Sequence, residues 1–289
     1  MSHAPDGEWF SAQAVDGTAL PLCAWQPPSP PRAVILLLPA LGVPAQYYQP
    51  LAQALAGQGL AVLLLEQRGQ GRSPLRASRQ QSWGFAACLA DIGCALEQAG
   101  ARWPGCPRLL LGHSLGGHLA AMATALYPTQ LAGVVLAACG SPWRRLYRGA
   151  TRWQLELLAR VLLPLSLRTL GYYPGHRIGF GGREAAGLMR DWSVLARDNR
   201  YLAAGLEQDL EAGIRAWRGR MLLLRPADDV LVPPAAAQSV AERFAAAQTV
   251  QSTLSAAQIG AAADHYRWVR EPQAAAAAIA AWWAGEGPT

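Results

Sequence analysis

The chain has 289 residues, of which 52% are hydrophobic and 15% are charged, a composition too apolar for a disordered protein and sufficient for one or two domains with a large core. All 25 basic residues are arginine, which indicates a compositional bias and weakens any argument from arginine-rich patches alone. The net charge of +6 comes from residues 140–220, which hold 14 arginines and 7 acidic residues, while the rest of the chain is close to neutral.

The predicted elements alternate between short apolar strands and helices, a pattern typical of parallel βαβ units. A hairpin comes first, because two strand-like runs flank Asp16-Gly17, a strong turn signal. The later elements are predicted as strands at 33–38, 61–65, 109–111, 134–138, 221–224 and 249–254, and as helices at 47–56, 115–127, 234–247 and 266–284. This order predicts an α/β fold with a mostly parallel central sheet flanked by helices.

The alternation breaks over residues 141–219. This segment has helical patterning, clustered arginines and a glycine- and proline-rich middle at 171–182. We interpret it as a helical cap inserted between two strands of one sheet, so that residues 1–140 and 220–289 form the core.

The sharpest local motif is Gly112-His113-Ser114-Leu115-Gly116, which follows a predicted strand and opens a predicted helix. That context is the one a nucleophile elbow requires, because a sharp turn there presents the serine hydroxyl above the sheet. Flanking glycines remove side chains that would collide with neighbouring backbone. We therefore predict Ser114 as a catalytic nucleophile.

A serine hydroxyl needs a base to take its proton and an acid to orient that base. In this strand–turn–helix context the partners follow in the order serine, acid, histidine. Of the five histidines, only His265 follows a late strand; the others are His3, His113, His118 and His176. Elimination thus leaves His265 as the base.

Two adjacent carboxylates follow the strand predicted at 221–224. We prefer Asp229 as the orienting acid, with Asp228 as the alternative. Asp264, next to the base in sequence, is expected to cap or solvate its own loop.

The reaction also needs hydrogen-bond donors where negative charge develops. One donor should be the backbone N–H of Leu115, directly after the nucleophile. The second should come from the loop after the strand at 33–38, where we choose Leu41.

These residues together resemble the α/β-hydrolase superfamily over about residues 34–283. Residues 66–73 (Glu-Gln-Arg-Gly-Gln-Gly-Arg-Ser) are similar to the Asp-x-Arg-Gly-x-Gly-x-Ser loop of its serine-hydrolase branches. The nearest branches are the monoacylglycerol-lipase and serine-aminopeptidase-like ones. A group of bacterial predicted hydrolases is closer still, with Gly-Val-Pro after the first central strand and a tyrosine-rich helix start.

The sequence departs from this pattern at two places. Pro39-Ala40 replaces the usual His-Gly pair of the oxyanion loop, and Glu66 replaces the usual aspartate, a change we interpret as structural. Ser114 distinguishes the chain from haloalkane dehalogenases and epoxide hydrolases, which use aspartate, and from dienelactone hydrolases, which use cysteine.

The predicted function is hydrolysis of carboxylic esters, with medium-chain acyl esters or monoacylglycerols as substrates, through a Ser114–Asp229–His265 triad and an acyl-enzyme. The alternatives are a peptidase or acyltransferase of the same fold, or a non-catalytic ligand-binding protein. Acidic residues that a peptidase could use for an α-ammonium group cluster at Glu207, Asp209 and Glu211.

No metal or cofactor motif is present, so neither is expected. Nucleic acid is not an expected partner, because the basic segment is leucine-rich and lacks interleaved aromatic platforms. For the arginine-rich helix of the cap, packing on the core with a solvated face is favoured over contact with a membrane surface. Residues 1–6 lack a secretory signal, no run of 18 apolar residues occurs, and the five cysteines show no CxxC pair. We therefore expect a cytoplasmic protein with reduced thiols.

Overall fold

The computed structural model describes residues 7–285 of the chain. Residues 1–6, on which the expectation of no secretory signal rests, lie outside this part. The strands of the described residues, in chain order, are β1 (Glu8–Gln13), β2 (Ala19–Trp25), β3 (Val34–Leu38), β4 (Ala61–Leu65), β5 (Arg108–His113), β6 (Gly133–Ala137), β7 (Tyr172–Pro174), β8 (Arg183–Ala185), β9 (Arg220–Pro226) and β10 (Gln248–Leu254).

Eight strands form the main sheet, in the order β1-β2-β4-β3-β5-β6-β9-β10. β2 is antiparallel to its neighbours β1 and β4, and the six strands from β4 to β10 run parallel. β3, β4 and β6 are buried along their whole length, as expected for parallel strands covered on both faces. The predicted α/β class with a mostly parallel sheet is confirmed. Because the strands are parallel, their carboxyl ends meet at one edge, where such folds bind ligands.

Helices cover both faces of this sheet, and others belong to the segment 141–219. They are α1 (Gln49–Gly57), α2 (Phe85–Arg102), α3 (Leu115–Leu126), α4 (Gly149–Leu157), α5 (Leu163–Thr169), α6 (Ala186–Asp198), α7 (Leu210–Ala216), α8 (Pro234–Ala241), α9 (Ala256–Ile259), α10 (Arg267–Arg270) and α11 (Gln273–Ala284). Alternate residues of β3 enter different cores, since side chains of a strand point to opposite faces. Leu36 and Leu38 pack with residues of α2 and α3, whereas Ile35 and Leu37 pack with residues of α1 and α11.

The structure corrects two predicted helix ends. α8 stops at Ala241 instead of residue 247, because the chain turns there and buries Phe244 before it enters β10. The helix predicted at 266–284 is two helices, α10 and α11, separated at Pro272. Proline has no N–H to continue a helix, and it forces the residue before it out of the helical region.

One helix, α2, is not among the helices predicted from the sequence. α2 spans 18 residues and buries one apolar face on the sheet and on α3. Its buried positions include 85, 88, 89, 92, 96 and 99, which is the helical spacing that should have identified it.

The segment 141–219 lies between β6 and β9, which pair directly with each other in the main sheet. It carries α4–α7, the short antiparallel pair β7–β8, and a π-helical turn (Leu158–Leu162) that joins α4 to α5. Its last helix, α7, packs against α3 of the sheet layer. The insertion therefore begins at the carboxyl-terminal end of β6 and ends at the amino-terminal end of β9.

Candidate active site

Ser114 sits at the turn between β5 and α3 with φ 53° and ψ −112°. This is a strained conformation for a residue other than glycine, and such strain persists only where the surroundings impose it. The turn is crowded: a Cβ placed on Gly112 would lie 2.2 Å from the Gly116 carbonyl oxygen, and one on Gly116 would lie 2.1 Å from the Leu38 carbonyl oxygen. The two glycines are therefore required by backbone contact, and the turn exposes the serine side chain in the way a nucleophile needs.

His265 and Asp229 are in direct contact. The Nδ1 of His265 lies 2.7 Å from Oδ2 of Asp229, and both residues are buried. The other oxygen of this carboxylate accepts the N–H groups of Leu231, at 2.9 Å, and Val232, at 3.1 Å. These bonds hold the carboxylate in place, so that it fixes the histidine as Nδ1–H and leaves Nε2 free as a base.

The neighbouring acids do other work. Asp228 accepts the N–H of Ala263 at 3.1 Å and so ties the two loops together without touching His265. Asp264 accepts the N–H groups of Tyr266 and Arg267, as a loop cap does. Of the three candidate carboxylates, only Asp229 is hydrogen-bonded to the base.

Ser114 and His265 line the same cavity, which has a volume of about 400 Å³. Within residues 7–285, the Ser114 hydroxyl makes no hydrogen bond to the histidine ring. Such bonds are often long in a substrate-free enzyme and tighten when substrate binds.

The predicted oxyanion donors, Leu41 and Leu115, also line this cavity. The loop that carries Leu41 is held from two sides. Ala40 donates its N–H to Tyr48 Oη at 2.8 Å, and the Pro39 carbonyl accepts the side chain of Gln67 at 2.7 Å. The amide of Ala40 is occupied by this bond, and Leu41, the next residue, stays the predicted donor of this loop.

Tyr48 continues this network toward the nucleophile. Its hydroxyl accepts the amide of Ala40 and is also hydrogen-bonded to Nδ1 of His113, 2.7 Å away. Burial, and then the charge of nearby His265, hold the pKa of His113 well below its usual range. A neutral His113 therefore lies directly before Ser114, its ring 4.9 Å from that of His265. The sequence analysis excludes His113 as the base and assigns no role to Tyr48, which belongs to the tyrosine-rich helix start.

Glu66 has a structural role, as the sequence suggested. One carboxylate oxygen accepts the N–H of Ala45 at 2.8 Å, and the other accepts that of Arg72 at 3.0 Å. Burial raises the pKa of this carboxyl. Glu66 thereby fixes the loop 67–72 against the segment that leads from Leu41 into α1.

The walls of the cavity are mostly apolar. Residues of the inserted segment that line it include Tyr147, Leu155, Leu158, Tyr173, Phe180 and Trp192. None of the described lining residues is an arginine, aspartate or glutamate. The arginines that give the segment its charge thus lie outside the cavity. A larger cavity of about 720 Å³ lies between β10 and α11 and is lined by neither Ser114 nor His265.

No metal site or spanning helix is found in the described part of the chain. Within residues 7–285, no group of three or more histidine, cysteine, aspartate or glutamate side chains is arranged to hold a metal ion. No helix in that range is long and apolar enough to cross a membrane. The five cysteines are all free.

Comparison with known proteins gives a consistent result. The family described as "Serine aminopeptidase, S33" matches residues 29–257. The monoglyceride lipase of Homo sapiens is 32% identical over 121 residues, 42% of this chain and 39% of that protein. The monoacylglycerol lipase of Mycolicibacterium smegmatis is 31% identical over 126 residues, 44% of each chain. The chain therefore spans less than half the length of these curated relatives.

Solved structures share the fold over nearly the whole chain. An esterase from Exiguobacterium antarcticum (EaEST) aligns with a TM-score of 0.66 at 15% identity and covers 96% of this chain and 100% of its own. The thioesterase domain from the curacin biosynthetic pathway aligns with a TM-score of 0.59 at 18% identity, over 97% and 100% of the two chains. At these identities the likeness concerns the fold alone, which is that of the α/β-hydrolases.

Proposed function

Because the chain belongs to the Serine aminopeptidase, S33 family of α/β-hydrolases, we propose that it is a serine hydrolase of carboxylic esters. One observation carries the proposal. The strained Ser114 and His265, whose Nδ1 lies 2.7 Å from Asp229, line a single cavity at the carboxyl ends of the parallel strands.

The proposed reaction follows from this geometry. Ser114 Oγ attacks the ester carbonyl while Nε2 of His265 takes its proton, and the amides of Leu41 and Leu115 stabilise the oxyanion. The histidine returns that proton to the leaving alcohol, and the ester becomes an acyl-enzyme. Water then attacks the acyl carbonyl, gives its proton to the same nitrogen, and releases the carboxylic acid and the free serine. Asp229 stays ionised throughout and stabilises the charged imidazole.

The substrates we propose are acyl esters or monoacylglycerol-like esters. An apolar cavity of about 400 Å³ suits a hydrocarbon chain, because burial of apolar surface is its main source of binding free energy. Two of the relatives are named as monoglyceride and monoacylglycerol lipases, which supports this class.

A peptidase that releases N-terminal residues is the main alternative. It would need a carboxylate near the nucleophile to hold an α-ammonium group, and none lines the described cavity. Asp209 caps α7, Glu211 pairs with Arg243, and neither lines the cavity, nor does Glu207. An acyltransferase would share the acyl-enzyme and differ only in the acceptor that replaces water.

The remaining proposals concern organisation, partners and location. We take residues 1–140 and 220–289 as the catalytic core and 141–219 as the cap, in a cytoplasmic protein whose partner is a small ester and not a nucleic acid. Contact of the cap with a membrane surface was the less favoured expectation. The cap leaves Trp153, Leu157 and Leu165 about half exposed or more, so flotation with anionic vesicles is the appropriate test. Absence of co-flotation would remove membrane contact from the account.

The experiment that tests the function compares Ser114→Ala with the parent chain. The parent should hydrolyse p-nitrophenyl esters of graded chain length and leave aminoacyl amides intact, and it should be labelled by a fluorophosphonate probe. Ser114→Ala should lose both ester turnover and labelling while it keeps the same cooperative unfolding. A parent chain that binds acyl ligands but is neither labelled nor active would indicate the non-catalytic alternative.

A further inference from the structure

The glycine-rich middle of the cap touches the oxyanion loop, backbone against backbone. A Cβ placed on Gly42 would lie 2.2 Å from Gly182 N and 2.6 Å from the carbonyl carbon of Gly181. From the other side, a Cβ on Gly182 would lie 3.1 Å from Gly42 Cα, and one on Gly181 would lie 2.9 Å from Leu41 Cδ2. Real Cβ atoms essentially never approach other atoms within 3.0 Å, so the contact depends on the missing side chains of Gly42 and Gly181, and the 3.1 Å at Gly182 is tighter than most Cβ contacts. The residue before Gly42 is the proposed oxyanion donor.

A buried carboxylate fixes the cap side of this contact. Glu184 on β8 is 3% exposed, and its Oε1 accepts the N–H of Gly182 at 2.7 Å. The same carboxylate accepts the side-chain amide of Gln70 at 3.3 and 3.4 Å. Gln70 belongs to the loop 66–73, whose Gln67 holds the Pro39 carbonyl. One carboxylate thus joins the cap to the loop that also supports the oxyanion donor.

A second tie keeps β8 on the core. Arg183 donates from Nε to the Ala77 carbonyl at 2.6 Å, and its guanidinium lies 4.0 Å from the ring centre of Tyr172. The hairpin β7–β8 is therefore attached to the core through Arg183 and Glu184, the two residues that follow Gly182. Its position, and that of Gly182, is fixed relative to the sheet.

We propose that Gly181, Gly182 and Glu184 form a positioning element of the oxyanion hole, one that presses the cap backbone against Gly42 and holds the Leu41 N–H in its productive place. This proposal rests on the proposed function, because it assigns a role to that same oxyanion loop. It means that the cap does more than cover the substrate: it completes the site that stabilises the transition state. Misplacement of a donor by a fraction of an ångström weakens the bond to the developing charge without changing the binding of the substrate chain.

The test compares Gly182→Ala with Gly179→Ala in the full chain. Gly182 has no positive φ, so alanine there adds only the contacts with Gly42, Glu184 and Gln70. Gly179 lies in the same loop with φ 76° and has no atom within 4 Å of an added Cβ, so alanine there adds backbone strain without contact. A further pair, Glu184→Ala and Glu184→Gln, removes or keeps an acceptor for the Gly182 N–H.

For each variant we would measure kcat and KM for p-nitrophenyl octanoate, and inhibition by octylboronic acid and by octanoate. The boronic acid forms a tetrahedral adduct with the serine and places an oxygen in the oxyanion hole, whereas octanoate reports on the chain pocket. Gly182→Ala and Glu184→Ala should each lower kcat about tenfold or more and raise the inhibition constant of octylboronic acid by a similar factor. KM and the inhibition constant of octanoate should stay within about threefold of the parent values. Glu184→Gln should restore most of the loss, and Gly179→Ala should resemble the parent.

Three results separate failure of the positioning proposal from failure of the proposed function. If Ser114→Ala is inactive but Gly182→Ala and Gly179→Ala have the same kcat, the positioning proposal is wrong while the proposed function stands. A parallel loss of octanoate and octylboronic acid binding would also overturn it, since that pattern reports a collapsed pocket. If Ser114→Ala retains the parent rate, the proposed function itself has failed. Thermal unfolding of each variant shows whether the chain is folded, and the glutamate pair tests the same contact should Gly182→Ala not fold.

Discussion

Replacement of Tyr48 by phenylalanine tests how the oxyanion loop is held. The change removes one oxygen and keeps the buried ring, so packing is preserved. Two buried groups lose their partner, the N–H of Ala40 and Nδ1 of His113, which lie 2.8 and 2.7 Å from the hydroxyl. An unpaired buried polar group costs about 1–3 kcal/mol, so the free energy of unfolding should fall by about 3 kcal/mol in total.

The same change should reduce catalysis by a separate amount. A released Ala40 amide lets the loop move, and the Leu41 donor moves with it. Loss of a whole oxyanion donor costs about 10²–10³ in kcat, so partial misplacement should cost about tenfold, with KM nearly unchanged. Chemical denaturation and ester kinetics measure the two effects on the same sample.

The matched control is Tyr127→Phe, because the hydroxyl of Tyr127 donates a single hydrogen bond, 3.0 Å long, to the Leu89 carbonyl far from the site. This variant should lose about 1 kcal/mol of stability and no activity. If Tyr48→Phe kept the parent kcat, or if both variants lost the same activity, the account of the loop would be wrong.

Three further predictions follow from carboxylates. Asp229→Asn should lower kcat about 10⁴-fold, because an amide cannot hold the base in the required tautomer, whereas Asp228→Asn should change ester kinetics far less; steady-state rates of the two variants decide between them. Asp191→Ala should lower the free energy of unfolding in urea by about 2 kcal/mol, because Asp191 accepts the N–H of Phe85 at 2.7 Å and caps α2; an unchanged midpoint would contradict this. Burial raises the pKa of Glu184 from 4.5 to about 7, so the folded state binds this proton more tightly than the unfolded state and stability falls as pH rises from about 4.5 to about 7. Glu184→Gln should therefore gain stability relative to the parent between pH 5 and pH 8, and a constant difference in melting temperature would refute the assignment.

The sequence carried enough information for the α/β class with a mostly parallel sheet and for the identity of the proposed triad. Ser114 follows from the glycines that its turn requires, and His265 from its place after a late strand. Asp229 and Asp228 are adjacent, so spacing alone could only rank them. The distinction depends on Leu231 and Val232, whose amides turn one carboxylate toward the histidine.

Other features depend on contacts between distant parts of the chain. Tyr48, Ala40 and His113 form one network, yet nothing in their local sequence indicates which hydroxyl meets which ring. The contact of Gly182 with Gly42 likewise joins residues 140 positions apart, and the local composition of 171–182 indicates only a loop. The break between α10 and α11 could have been predicted from Pro272, because proline in a helix interior interrupts the helix.

The location of the arginines in the inserted segment could not be predicted from its net charge. An excess of arginine is compatible with an anionic partner, but no arginine lines the described cavity. Apolar side chains such as Leu155, Leu158 and Phe180 line it instead. The charge of the segment thus lies outside the cavity, and the side chains that the segment contributes to the cavity are mostly apolar.

The most direct test of the central claim is the rate of p-nitrophenyl ester hydrolysis by Ser114→Ala beside the parent chain, with fluorophosphonate labelling of both. The account predicts a parent that is active and labelled, and a variant that folds equally well with neither property. Hydrolysis by the variant at the parent rate would contradict the account, because alanine lacks the hydroxyl to which the account assigns the attack on the ester.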